Sequence, residues 1–324
     1  MAPLRICSYE DRPQAMDSVI LMGESLCRSD RCVSLHLTVP DAPASVRAWA
    51  EERPEVILST TRPQGVSGWD VKPWLMLQEL NAGGTEILWL DTDIVVTRPV
   101  SSLVDEFPPD SLIVAEEWCE ATIPVSALWG LPSGRPVPVF NNCFIRATQT
   151  HRLLLERWLE MTRDPRYRDA QRLPFDQRPI HVAHDGWLLI ALLESEEFRD
   201  LPLVSLRLGR HIAQCAGSSG YRPRDRILDL FRGLPPLIHG IGRKPWETPR
   251  TWLLDLATDV SPYVLAARRI AGDLGTKPAW LEARTAPGAF LRAVTGGHPA
   301  LAGLPLAILH ALPALRAQVR RPPQ

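Results

Sequence analysis

Two aspartates one residue apart interrupt an apolar, β-favouring run, ILWLDTDIVV at residues 87–96, and this stretch constrains the fold more than any other. The segment ahead of Asp91 is too short for a helix and reads as a buried strand. Carboxylates at the carboxyl end of such a strand lie where open α/β sheets bind their ligands. Buried and unpaired they would cost several kcal/mol each, so they require a counter-charge. Hard oxygen ligands suit Mg²⁺ or Mn²⁺, which keep positions open for phosphate oxygens. The triplet alone also suits a solvated turn in which one Asp caps a backbone amide. Its apolar flanks and two segments further on weigh for the metal.

The first hundred residues alternate strand and helix. LRICSY is the first strand, and Asp11 is placed to cap a helix from about Pro13 to Cys27. VSLHLTV, VILST and the Asp-Thr-Asp strand follow, separated by helices at PDAPASVRAWAEE and KPWLMLQEL. This predicts an α/β fold, a mainly parallel sheet flanked by helices on both faces. Beyond it, SLIVAEEW, NNCFIRA and LPLVSLRL read as strands, Thr150 as the cap of HRLLLERWLEMT, and GWLLIALLE as an apolar helix after His184-Asp185. The Arg- and Pro-rich stretch 163–184 reads as a long irregular loop, a length often tied to function. After about Arg250 the chain becomes Ala-, Leu- and Arg-rich, which predicts one domain over 1–249 and a helical extension over 250–324.

Composition removes some functions. A net charge of −1 and 23% charged residues give no basic field to recruit nucleic acid. Only three lysines, Lys72, Lys244 and Lys277, stand among 36 basic residues. In a chain so committed to Arg, a retained Lys is a candidate point charge for phosphate. Six cysteines lack zinc-ligand spacing and read as small buried hydrophobes of a reducing compartment. The amino-terminal stretch carries no charged-then-apolar leader, and no apolar run has the length to span a bilayer. A cytoplasmic protein is expected; the apolar and Arg faces of the 250–324 tail favour packing on the main domain over the alternative, peripheral docking on the inner membrane face or a partner.

HGIGRKPW at 239–246 is the second anchor. His239, closing an apolar strand, offers an imidazole nitrogen to a metal. Gly240 and Gly242 let the backbone approach an anion, and Lys244 adds a point charge. With ILWLDTDIVV, the Asn at the mouth of VFNNCFI and Asp185 before an apolar helix, this order resembles GT-A glycosyltransferases. It looks most like glycosyltransferase family 8, the glycogenin and lipopolysaccharide galactosyltransferase group, over residues 4–246.

The resemblance implies a nucleotide-diphospho-sugar transferase fold, a Mn²⁺ or Mg²⁺ cofactor and retention of anomeric configuration. It casts Asp91 near ribose and metal, Asp93 as principal metal ligand and His239 as the remaining protein ligand. Gly242 and Lys244 would grip the diphosphate. Ser8, Tyr9 and Asp11, in the first loop, would meet the base. Lys72 would contact phosphate or donor sugar. Asn141 and Asp185 would face the donor sugar and the reacting centre, and are the implied catalytic residues. The chain departs from the family pattern in three places: the turn is one residue shorter before Lys244, Cys143 replaces a Gly, and His184-Asp185-Gly186 replaces an Asp-Gln pair.

The expected function is transfer of a sugar from a UDP-linked donor to an acceptor that is a glycan, a lipid-linked sugar or a small molecule. A non-catalytic nucleotide-sugar or partner-binding module is the alternative. A sugar-phosphate nucleotidyltransferase is disfavoured, because CSYEDRP after the first strand contains no Gly.

Overall fold

A computed structural model describes residues 3–117, 124–247 and 251–311. Its ten strands are β1 Leu4–Tyr9, β2 Val33–Thr38, β3 Val56–Ser59, β4 Glu86–Leu90, β5 Ile94–Val96, β6 Leu112–Glu116, β7 Phe140–Thr148, β8 Leu203–Leu206, β9 Ile212–Cys215 and β10 Leu237–Gly240. The chain forms two compact units. The first takes Met1–Asp11, Cys32–Asp91 and Val104–Leu206; the second takes Arg12–Arg31, Thr92–Leu103 and Arg207 onward. Each is described separately.

The first unit holds a seven-stranded sheet in the order β3-β2-β1-β4-β7-β6-β8. β1 pairs parallel with β2 and β4, and β2 with β3, as the strand–helix alternation predicts. β7 runs antiparallel between β4 and β6. The strand order reverses about β1, so β4 ends at a topological switch point, where open α/β sheets receive ligands. Helix Asp185–Glu194 is buried along its whole length, as an apolar sequence without a polar face requires. It packs with Leu75 and Met76 of helix Val71–Asn81 and with Leu154 and Trp158 of helix Arg152–Met161 in one core.

The second unit is built on a three-stranded sheet, β5-β10-β9. Helices Met16–Ser29 and Pro262–Leu274 contribute Leu21, Val264 and Ala267 to a core with Val95, Ala213, Ile238 and Trp280. The Tyr263 and Trp280 rings stack with planes 3° apart. The described tail helices fall in this unit. The expected boundary at 249/250 lies outside the described residues, as do Trp118, Cys119 and 312–324.

Local expectations needed correction in several places. Asp11 caps no helix: the first turn after β1 begins at Arg12 without a side-chain cap, and Asp11 instead accepts a hydrogen bond from the Tyr9 hydroxyl at 3.0 Å. Thr148, not Thr150, forms a reciprocal cap with His151, because a 3₁₀ turn over Gln149–His151 precedes the α-helix. The 163–184 stretch contains helix Pro165–Ala170, capped by Asp164. β9 has no counterpart in the sequence reading; four residues between His211 and Ala216 carry too little periodicity to reveal it. The free cysteines Cys7, Cys143 and Cys215 are buried as expected, whereas Cys27 is half-buried and Cys32 is exposed, against the expectation.

Candidate functional site

In the first unit the site begins where β4 stops. The Asp91 amide donates to Cys143 O at 2.9 Å, and Trp89 Nε1 donates to Asp91 Oδ1 at 2.6 Å. Lys72, in the opening turn of helix Val71–Asn81, places Nζ 3.1 Å from Asp91 Oδ1 and 5.5 Å from the Trp89 ring centroid. A cation is disfavoured at a helix N-terminus, so Asp91 supplies needed compensation. The same ammonium donates to Asn142 O at 3.2 Å and to Asn142 Oδ1 at 3.1 Å. Asn142 Nδ2 then donates to Asp185 Oδ2 at 2.6 Å.

Asp185 is the first residue of its helix, not the cap: His184 Nδ1 takes that role by accepting from Gly186 N at 3.2 Å. Burial pushes the Asp185 carboxyl up to about 7, and Asp70 and Asp91 add to the rise, against the pull of Lys72 and the Asn142 hydrogen bond. Burial alone would depress Lys72, but the charges of Asp91 and Asp185 outweigh it and hold the ammonium above its ordinary value. Burial, with the charges of Lys72 and Arg178, lowers His184 to about 4, so its ring is neutral near pH 7.

In the second unit, three aligned strands assemble the other set. His239 lies opposite Ile94 on β5 and opposite Gln214 on β9, and the Gly240 amide donates to Asp93 O at 3.0 Å. His239 Nδ1 is 2.8 Å from Gln214 Oε1, and His239 Nε2 is 3.1 Å from Asp93 Oδ1. With Gln214 Oε1 accepting, Nδ1 carries the ring proton and the Nε2 lone pair is directed at Asp93. Asp93 Oδ1 is buried without a hydrogen-bond partner. Two lone pairs facing across 3.1 Å, with the imidazole oriented through its far nitrogen, suit a metal ion. The other carboxylate oxygen, Oδ2, pairs with Lys244 Nζ at 2.5 Å, and Lys244 also donates to Gly240 O at 2.6 Å. Burial would raise the Asp93 carboxyl, but the charge of Lys244 holds it well below the carboxylate range. Gly242 turns the chain with φ +67°, a conformation in which a side chain is strained.

The remaining predicted residues are placed as follows. Ser8 and Tyr9 are in β1, not in a loop, because parallel partners continue to Leu37 and Thr38. Ser8 is fully buried and its hydroxyl donates to Leu90 O. Asn141 donates to Glu117 Oε2 at 2.9 Å and accepts from Cys143 N at 2.9 Å. Asn142, its neighbour, is the one that reaches Asp185. Asn142 and Gln214 were both missed by the sequence reading; the doubled Asn was a signal for the first, and nothing local signalled the second.

No protein-family profile matches this sequence, and no curated protein sequence matches it. Solved structures do. The galactosyltransferase LgtC in complex with donor and acceptor sugar analogs superposes with a TM-score of 0.52 at 16% identity, covering 85% of this chain and 98% of that one. The fold is that of the GT-A glycosyltransferases. The bifunctional glycosyltransferase WbbM aligns at TM-score 0.50 and 12% identity, over 84% of this chain and 51% of its own. Within this GT-A fold, Asp-Thr-Asp follows β4 and HGIGRKPW begins in the last two residues of β10.

Proposed function

We propose that the chain is a metal-dependent, retaining glycosyltransferase using a nucleotide-diphospho-sugar, UDP-linked, as donor. The observation that carries this reading is Asp93 Oδ1, a buried carboxylate oxygen without a hydrogen-bond partner that faces the imidazole Nε2 of His239. We assign Asp93 and His239 a Mn²⁺ or Mg²⁺ ion, with Asp91 as the further ligand that the Asp-Thr-Asp sequence proposes. Two carboxylates and one imidazole are the ligand chemistry such an ion accepts. When bound, the ion supplies positive charge to the diphosphate oxygens.

Lys244 adds a second positive charge on the same turn, and the Gly242 backbone leaves that turn open to an anion. In the transfer, the bond from the anomeric carbon to the diphosphate oxygen breaks and a bond to the acceptor oxygen forms. The acceptor proton leaves to the departing phosphate. Asp185, buried with a carboxyl near 7, supplies negative charge to the oxocarbenium-like centre when ionised. Tyr9 and Asp11, at the end of β1, are proposed for the base, and Asn141 for the donor sugar. No described helix is long and apolar enough to cross a membrane; a cytoplasmic location with peripheral membrane contact through the tail remains part of the proposal.

The test is a thermal-shift and UDP-release panel of UDP-sugars with and without Mn²⁺. UDP is expected to raise the melting temperature only when metal is present, and one donor to release UDP. Metal-independent stabilisation would overturn the metal assignment. Binding without any turnover would favour the non-catalytic module.

A further inference from the structure

We propose that Asn142 is a positioning residue of this site: its amide fixes the Asp185 carboxylate and the Lys72 ammonium in one arrangement. The inference rests on the glycosyltransferase reading, and concerns a residue that the sequence pattern did not single out.

The argument starts from donor and acceptor capacity. An ammonium has three N–H groups and no acceptor. Those of Lys72 have three partners here: Asp91, Asn142 O and Asn142 Oδ1. Lys72 is therefore committed within the protein rather than held out towards a phosphate. An amide has one oxygen and one NH₂, and both are used: Oδ1 accepts from Lys72 and Nδ2 donates to Asp185 Oδ2. Turned over, the amide would set NH₂ against NH₃⁺ and oxygen against carboxylate, so the two charges fix its orientation. Lys72, Asn142 and Asp185 are 3, 7 and 1% exposed, so water does not replace a lost contact.

The backbone shows why Asn142 rather than Asn141 does this. On β6, Val114 and Ala115 are consecutive; their partners on β7 are Ile145 and Asn141. Residues 142–144 thus bulge away from β6, while Phe144 still pairs with Leu90 on β4. Bulges re-aim side chains beside active sites, and here the bulge delivers the second Asn to Asp185. Asp185 is held from its other end as well, because Trp158 Nε1 donates to its carbonyl at 3.0 Å. Asp185 Oδ2 is tied to the strand through Asn142.

The experiment compares full-length wild type with Asn142→Ala and Asn142→Ser. The first readout is UDP release from UDP-galactose and UDP-glucose with Mn²⁺. The second is a carboxyl ¹³C NMR titration of Asp185, assigned with Asp185→Asn. The charged and titratable groups around Asp185 are Lys72, Asp70, Asp91 and Tyr167, with neutral His184 beside it in the chain; all are intact in both variants. Asn142→Ala should lower kcat at least tenfold with KM within about threefold, and move the Asp185 midpoint to higher pH by about one unit, because a hydrogen bond to the charged form is lost. Asn142→Ser, which keeps a hydroxyl donor, should fall between the two, and it carries the test if the Ala variant does not fold. An unchanged Asp185 midpoint, or an unchanged kcat, would overturn the proposal. Wild type inert on every donor would remove the glycosyltransferase reading, while the NMR midpoint still decides whether Asn142 holds Asp185.

Discussion

Asp93 and Asp185 are both buried, yet their surroundings move their carboxyls in opposite directions. Around Asp93, in the second unit, one carboxylate has Lys244 on one oxygen and His239 beside the other. In the first unit, two carboxylates, Asp91 and Asp185, share the single charge of Lys72, one directly and one through Asn142. The first arrangement is neutral without an ion and keeps an unused oxygen. The second carries an excess of negative charge, and burial makes Asp185 absorb it by holding its proton. Residue type does not decide these roles; the ratio of cations to carboxylates in each buried set does.

The largest expected effect is at Asp93. Asp93→Ala should reduce nucleotide-sugar turnover by about a thousandfold, the scale of a lost electrostatic contribution of roughly 4 kcal/mol. Activity near wild type would break the comparison at its first half. Lys72→Met comes next, leaving Asp91 and Asp185 without their cation. Urea unfolding should show a loss of about 3 kcal/mol, more than for Lys244→Met, which leaves one carboxylate rather than two without its cation. Equal losses would mean that sharing one cation between two carboxylates carries no special weight.

The pH dependence separates the two aspartates by sign. Asp185 has its folded carboxyl raised from 3.8 to about 7, so the folded state holds a proton that the unfolded chain has released. Its contribution to stability therefore falls as pH rises from about 4 to 7, by up to about 4 kcal/mol. Asp185→Asn should flatten that limb in urea titrations at several pH values. Asp93 has its carboxyl lowered, so its stabilisation is full above the ordinary carboxylate range and is lost as pH falls below it. A stability limb that rises through pH 4–7 at Asp185 would contradict the arrangement described.

Smaller effects sharpen the metal half. Gln214→Leu frees the His239 ring and should weaken Mn²⁺ binding by about tenfold to a hundredfold, measured by calorimetry. Gly242→Ala should cost about 1 kcal/mol from its positive φ alone, since a Cβ there meets open space.

Much of this molecule was readable without coordinates. Alternating strand and helix segments announced the sheet, and an apolar strand ending in Asp-Thr-Asp marked its carboxyl edge, because both are written in local hydrophobic period. HGIGRKPW carried its own chemistry in eight consecutive positions from His239 to Trp246. What the tertiary structure decided were choices between neighbours and across long gaps. Asn142 was separated from Asn141 only by a bulge whose register depends on β6, some 27 residues earlier. Gln214 became a partner of His239 only because β9 pairs with β10, and a four-residue strand has no period to read. Lys72 reads as a phosphate ligand in the sequence, and in the structure its ammonium meets Asp91 and Asn142. Local pattern fixes which elements form; strand register and the counting of buried charges, both non-local, fix which side chain meets which.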